Sequence, residues 1–134
     1  MDICSVLKNI GGIHKNHFLL SSGKHSNTYI QCNKFFESPS LGFQVSLQLA
    51  NLTRGTPTVV LTAAHGGTSL GLLLAYHFSC RFVFAERVSG KLEIRRDQKI
   101  LTTDQIMIVD DVCTSFGTFK ELLILVDPDQ VKSF

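Results

Sequence analysis

The stretch IMIVDDVCTSFGTFK, residues 106–120, limits the fold more than any other part of the chain. Four apolar residues run straight into two adjacent aspartates, Asp110 and Asp111. Small hydroxyl residues and a glycine follow, and then a helix-like run begins. A short apolar run bounded in this way reads as a buried strand delivering its carboxyl end to a loop. Neighbouring carboxylates repel each other, so their partner must be cationic or rich in hydroxyls.

The remainder of the chain supplies the setting for such a strand. Residues 3–10 are expected to form a short helix ending at Gly11-Gly12. HFLLSSGKHSNTYIQCN reads as two short strands around a polar turn from Ser21 to Asn27. A Ser38 cap and Pro39 at the first helical position start a helix in which Leu41, Val45, Leu49 and Leu52 recur at helical spacing, and Gly55 stops it. TVVLTA is a buried-strand candidate, followed by His65-Gly66-Gly67 and a helix over about 68–78, with Leu72, Leu73, Leu74 and Phe78 as core. RFVFAE is another strand, with VSGKLEIRR returning as a hairpin, and a last helix is expected over about 118–126.

This alternation predicts a single α/β domain over residues 1–134, with a mainly parallel central sheet flanked by helices. In such sheets ligands bind at the carboxyl ends of the strands. The loops TAAHGG, ERVSGK and DDVCTSFGT all leave such ends, so one mouth can collect them. The tail PDQVKSF is too short for a strand and its follow-on, so the sheet is expected to lack a last strand and to offer an edge to a partner.

Thirteen Lys and Arg against eleven Asp and Glu give a net charge of +2, too small to imply a nucleic-acid partner. Six of the thirteen basic residues (Arg81, Arg87, Lys91, Arg95, Arg96 and Lys99) fall between positions 81 and 99. Two readings of that cluster stand: a solvated hairpin, or a patch for a small anion such as phosphate. The longest apolar stretch, Leu70 to Phe78, is far below the ~20 residues of a membrane span. No secretion signal is recognisable, so Cys4, Cys32, Cys80 and Cys113 are expected as reduced thiols in the cytoplasm. His14 and His17 lack further ligands at metal spacing, so no zinc site is expected.

The loop after Asp111 places Thr114, Ser115, Gly117 and Thr118 between a strand and a helix start. Backbone N–H groups and hydroxyls there converge on an anion, helped by the helix dipole. Two aspartates just before such a cradle can accept hydrogen bonds from a sugar diol or hold Mg2+ through water. Together these residue types point to a sugar phosphate. Cys113 reads as a small apolar filler, since no general base is evident beside it.

A hydrophobic strand followed by D-D-V-x-T-[ST]-x-G-T resembles the phosphoribosyl-pyrophosphate signature of the type I phosphoribosyltransferases. HFLLSSGKHSNTYIQC resembles the element that opens the orotate phosphoribosyltransferases among them, FAERVSGKLEIRR resembles their hood hairpin, and TAAHGGTSLG stands where the family has its pyrophosphate loop. The four elements occur in order over roughly residues 10–126. The resemblance implies the type I phosphoribosyltransferase fold, with a small hood built from the N-terminal strands and a hairpin. It also implies transfer of a phosphoribosyl group from phosphoribosyl pyrophosphate to orotate, with Mg2+, in a homodimer.

By that resemblance Asp110 and Asp111 contact the ribose hydroxyls, while Thr114, Ser115, Gly117 and Thr118 cradle the 5′-phosphate. No side chain would bind Mg2+ directly, the aspartates acting through water and substrate. Lys24 would approach the orotate carboxylate or the pyrophosphate. Arg87 and Lys91 would be the basic residues of a mobile hood that reaches the neighbouring subunit's site, with Gly90 as its hinge. His65 is either a replacement basic contact in the pyrophosphate loop or a polar loop residue.

Two departures are visible in the site. Phe116 stands where the signature has glycine, at a cost of ~1–2 kcal/mol if the position requires positive φ. The pyrophosphate loop reads Leu61-Thr62-Ala63-Ala64-His65 where the family has Gly-Pro. Two alternatives follow: a phosphoribosyltransferase-fold binding or regulatory protein without catalysis, or a phosphoribosyltransferase for another base.

Overall fold

The structure is a computed structural model that describes residues 1–20 and 22–132. Ser21 of the expected polar turn, and Ser133 and Phe134 of the tail, lie outside the described residues. Helix α1 (Ile3–Asn9) precedes strands β1 (Ile13–Leu19) and β2 (His25–Ile30), and a 3₁₀ turn (Cys32–Glu37) leads to α2 (Pro39–Leu52). The chain then runs β3 (Val59–Ala63), α3 (Thr68–Phe78), β4 (Arg81–Val88), β5 (Lys91–Ile94), β6 (Ile106–Val109) and α4 (Gly117–Ile124).

Strands β1 and β2 form a separate antiparallel ribbon. The central sheet has the order β5-β4-β3-β6, with β4, β3 and β6 parallel and β5 antiparallel at the edge. Both faces of this sheet are covered, which is why β3 and β6 are continuous apolar runs instead of alternating ones. Side chains of a strand point alternately to its two faces. Val59, Leu61, Ile106 and Ile108 accordingly join Leu122 of α4 and Leu92 of β5 in one cluster. Val60, Met107 and Val109 join Leu70, Leu74 and Ala75 of α3 in another. Leu7, Phe35 and Val45 make a third, smaller cluster beneath α1 and α2.

The hairpin β4–β5 is continuous with this sheet, and its Leu92 is 5% exposed within the main core. Its turn is tight: Val88 pairs with Lys91, and Ser89 and Gly90 both have positive φ, 48° and 85°. That is the conformation a two-residue turn needs to match the twist of its strands. Gly90 therefore closes the hairpin turn, beside Lys91.

The amino-terminal end of the sheet is fastened by Asp104, which is buried. It accepts hydrogen bonds from Arg81, from the Leu101 N–H at 2.6 Å and from Thr58 Oγ1 at 3.0 Å. Burial opposes its ionisation, but these donors together hold its carboxyl below the usual range. Arg81 thus stands at the opposite end of β4 from Arg87, six residues and roughly 20 Å away. Arg96 pairs in turn with Glu86 at 2.8 and 2.9 Å. Arg81 and Arg87 stand at opposite ends of β4, so the six basic residues of the cluster do not form one anion-binding patch.

One apolar expectation is corrected: Leu72 is exposed, while Leu74 is buried on the face that α3 turns to the sheet. In α2, which packs on α3 and on the 3₁₀ turn, Leu49 and Leu52 of the helical stripe are exposed and Val45 is buried. Helix α2 ends at Leu52, before Gly55, and α4 ends at Ile124, two residues short of the expected limit. The tail adds no full strand among the described residues. It does reach the sheet, with Val131 bridging Ile106 in parallel and the Lys132 N–H donating to Ile106 O at 3.2 Å.

Helix α3 crosses the sheet at Gly71, where a Cβ would lie 2.3 Å from Thr62 Cγ2. Thr62 is fixed in a buried strand and has no room to withdraw. Gly71→Ala is expected to destabilise the protein by ~1–3 kcal/mol. In a thermal melt that corresponds to a loss of roughly 3–10 °C in Tm. An unchanged Tm would mean that α3 does not pack this closely.

Candidate functional site

After β4 the chain returns to the far side of β3 to form β6, so the winding reverses between β3 and β6. The loops leaving two such strands diverge and open a crevice. Here Gly66 and Gly67 meet residues 109–111. A Cβ at Gly66 would lie 2.6 Å from Asp111 Oδ1, and one at Gly67 would lie 3.1 Å from Val109 O. Only glycines let the β3–α3 loop pass so close to the acid pair.

The crevice opens into a cleft of about 1320 Å³ between the central sheet and the β1–β2 ribbon. Asp110, Asp111, Thr114, Ser115, Gly117 and Thr118 all line it, as does Arg87 from β4. The ribbon contributes Phe18, Ser26, Thr28 and Tyr29, with the Phe18 and Tyr29 rings 5.5 Å apart. Glu121 of α4 completes this wall. Lys24, His65 and Lys91 are exposed and are not among the lining residues. Cys113 is exposed in the cleft, so it fills no core space.

Phe116 occupies the position before α4 with φ 58° and ψ 18°, in the left-handed region. The turn therefore does require positive φ, and a phenylalanine there carries a strain of ~1–2 kcal/mol. Its ring is 60% exposed on the cleft wall, edge-on to Phe119 at 6.4 Å. The loop still delivers the N-terminus of α4 to the cleft, with the Gly117 and Thr118 N–H groups at the start of the helix.

No protein-family model matches the chain. It is 37% identical over 127 residues to the orotate phosphoribosyltransferase of Thermoanaerobacter sp. (strain X514), covering 94% of this chain and 67% of that protein. Orotate phosphoribosyltransferase of Thermotoga maritima is 36% identical over 125 residues, covering 92% and 67%. The chain belongs to the orotate phosphoribosyltransferase family. It spans about two thirds of the length of these relatives. Solved structures share the fold: orotate phosphoribosyltransferase from Aeropyrum pernix has a TM-score of 0.72 at 22% identity, covering 97% of this chain and 76% of its own. Adenine phosphoribosyltransferase from Thermoanaerobacter pseudethanolicus reaches 0.71 at 17% identity, covering 96% and 82%.

Within an orotate phosphoribosyltransferase scaffold, the charge in this cleft is uneven. Three carboxylates, Asp110, Asp111 and Glu121, face one cation, Arg87, among the described lining residues. Half-burial, and then the charge of Asp111, push the Asp110 carboxyl above its usual range, although Asp110 Oδ1 accepts the Asp111 N–H at 3.0 Å. Burial, followed by the same Asp111 charge, raises the Cys32 thiol on the facing wall. Glu121 was not singled out from the sequence. Its spacing of three from Thr118 on a helix places both on one face, and that signal was available.

The raised Asp110 makes a signed prediction. An acid whose folded pKa lies above its unfolded value adds stability only while protonated, and that contribution is lost as pH rises. At neutral pH the ionised Asp110 therefore costs stability. Asp110→Asn is expected to raise the Tm of the ligand-free protein by roughly 1–4 °C. Asp111→Asn is expected to lower the titration midpoint of the Asp110 carboxyl, followed by carbon NMR. A lower Tm, or a midpoint that does not move, would contradict the repulsion.

Proposed function

We propose that this chain transfers the 5-phosphoribosyl group from phosphoribosyl pyrophosphate to orotate, giving orotidine 5′-phosphate and pyrophosphate for pyrimidine nucleotide synthesis. The observation that carries this reading is the meeting of Asp110–Asp111 with the hydroxyl loop 114–118 at the reversal of the sheet, in a chain 37% identical to an orotate phosphoribosyltransferase. The aspartates accept hydrogen bonds from the ribose diol. Thr114, Ser115, Gly117 and Thr118 hold the 5′-phosphate through hydroxyl and backbone donors at the start of α4. An oxocarbenium-like ribose is stabilised mainly by electrostatics, so the fixed orientation of these groups matters more than any proton transfer. Phe18 and Tyr29 offer apolar faces to a flat base.

The donor set fits Mg2+. The cleft carries hard carboxylate oxygens in excess over cations. Such a site suits an ion held largely by substrate oxygens, with Asp110 and Asp111 acting through water. When bound, Mg2+ supplies a template and neutralises charge on the pyrophosphate. Asp110 and Asp111 keep the ribose oriented while the C1–O bond breaks, and Arg87 faces the departing phosphates.

Lys91, at the hairpin tip and outside the cleft of its own chain, acts in this reading on the neighbouring copy of a homodimer. Lys24 and His65 lie outside the lining of the cleft; in this reading Lys24 approaches the orotate carboxylate or the pyrophosphate from the exposed β1–β2 turn, and His65 is the basic residue of the pyrophosphate loop beside Gly66. Residues 1–134 act as one phosphoribosyltransferase domain. No helix among the described residues is long and apolar enough to cross a membrane, and the four cysteines are free, in keeping with a cytoplasmic enzyme.

Phe116 favours a second reading, a binding protein on the same scaffold without turnover. Orotate absorbance separates the two. The enzyme reading expects orotate to be consumed only with both phosphoribosyl pyrophosphate and Mg2+, and Asp111→Ala to slow turnover by roughly tenfold or more. Phe116→Gly is expected to tighten phosphoribosyl pyrophosphate binding by relieving the loop. A rise in Tm with phosphoribosyl pyrophosphate but no turnover would support the binding protein. Absence of both would overturn the sugar-phosphate site.

A further inference from the structure

Arg87 is the single cation on the cleft wall among the described residues, and it is already occupied. Its guanidinium donates to both carboxylate oxygens of Glu121, at 2.9 and 3.2 Å, and to Gly90 O at 2.7 Å. Glu121 raises the basicity of Arg87 through the same hydrogen bonds. The pair spans two structures. Arg87 is near the end of β4, at the root of the hairpin turn, and Glu121 lies one turn into α4, whose first residues belong to the hydroxyl loop. Both side chains remain solvent-accessible, at 47% and 40% exposure, so the pair can open without unfolding either element.

Fork-to-fork pairing of guanidinium with carboxylate uses the same donors that would grip a phosphate bidentately. Glu121 therefore competes directly with any phosphate for Arg87. We infer that Glu121 is a positioning residue that parks Arg87 toward the cleft and yields it to the pyrophosphate of the substrate. The inference rests on the proposed function, since it assigns the competing anion. The tight turn at Ser89-Gly90 and the retained bond to Gly90 O leave Arg87 few places to go. Exchange of one bidentate acceptor for another is then a side-chain event and needs no opening of the hairpin.

An exposed ion pair is worth ~0.2–1 kcal/mol, so its removal frees Arg87 for an approximately 1.4- to 5-fold gain in affinity. Loss of a negative charge facing a polyanion acts in the same direction. The test is calorimetric titration of phosphoribosyl pyrophosphate with Mg2+ into wild type, Glu121→Gln, Arg87→Ala and the double variant, with KM for the same substrate measured in parallel.

Glu121→Gln is expected to lower Kd and KM roughly 1.4- to 5-fold. Arg87→Ala is expected to weaken binding, and in that background Glu121→Gln should gain less than half of its effect. A carboxylate that only braced the hairpin would instead raise KM on removal, or act equally in both backgrounds, and either result overturns the inference. If wild type binds no phosphoribosyl pyrophosphate, the proposed function falls together with it. If wild type binds and Glu121→Gln binds no more tightly, the role of Glu121 alone is refuted.

Discussion

Parallel pairing of β3 with β6 fixes everything functional in this chain. Val59 to Thr62 pair in register with Ile106 to Val109, and every one of these side chains is buried. Neither strand has a face it can turn to water, so the pair forms only with helices on both sides. Helix α4 then has to cover one face and α3 the other. That covering leaves both loops at one crevice, with Gly66 against Asp111. The site is a consequence of burying two apolar strands side by side.

The crevice so formed is costly. Three carboxylates gather where one guanidinium is available, and half-buried Asp110 ionises against both its burial and its neighbour. Phe116 adds left-handed backbone strain at the entrance to α4. Strain and repulsion of this kind persist where the surrounding structure over-determines them, and they collect at functional sites. At the other end of the sheet Asp104 has three donors and helps hold the amino ends of β3 and β4 together.

Much of this was legible in the sequence, for definable reasons. Apolar runs bounded by glycine and polar loops announced β3, β4 and β6, and Ser38-Pro39 announced α2, because these signals are local. Asp110, Asp111 and the 114–118 loop were legible because an acid pair beside clustered hydroxyls has few structural uses. Phe116 was legible as a conflict, and its φ of 58° is that conflict realised. Pairings across the fold were not legible. Arg81 and Arg87 look alike in the chain, yet one fastens the floor to Asp104 and the other faces Glu121. Exposure of Leu49, Leu52 and Leu72 depends on how α2 sits on α3 and α3 on the sheet, which helical spacing alone does not determine.

The central claim is that the crevice between β3 and β6 receives a phosphoribosyl group with its phosphate on the loop 114–118. The most direct measurement is an amide NMR titration of the 14.9 kDa chain with phosphoribosyl pyrophosphate and Mg2+. The account predicts saturable shifts concentrated at Asp111 and Thr114–Thr118, with little change around Arg81 and Asp104. Shifts absent from 110–118, or spread evenly along the chain, would contradict it.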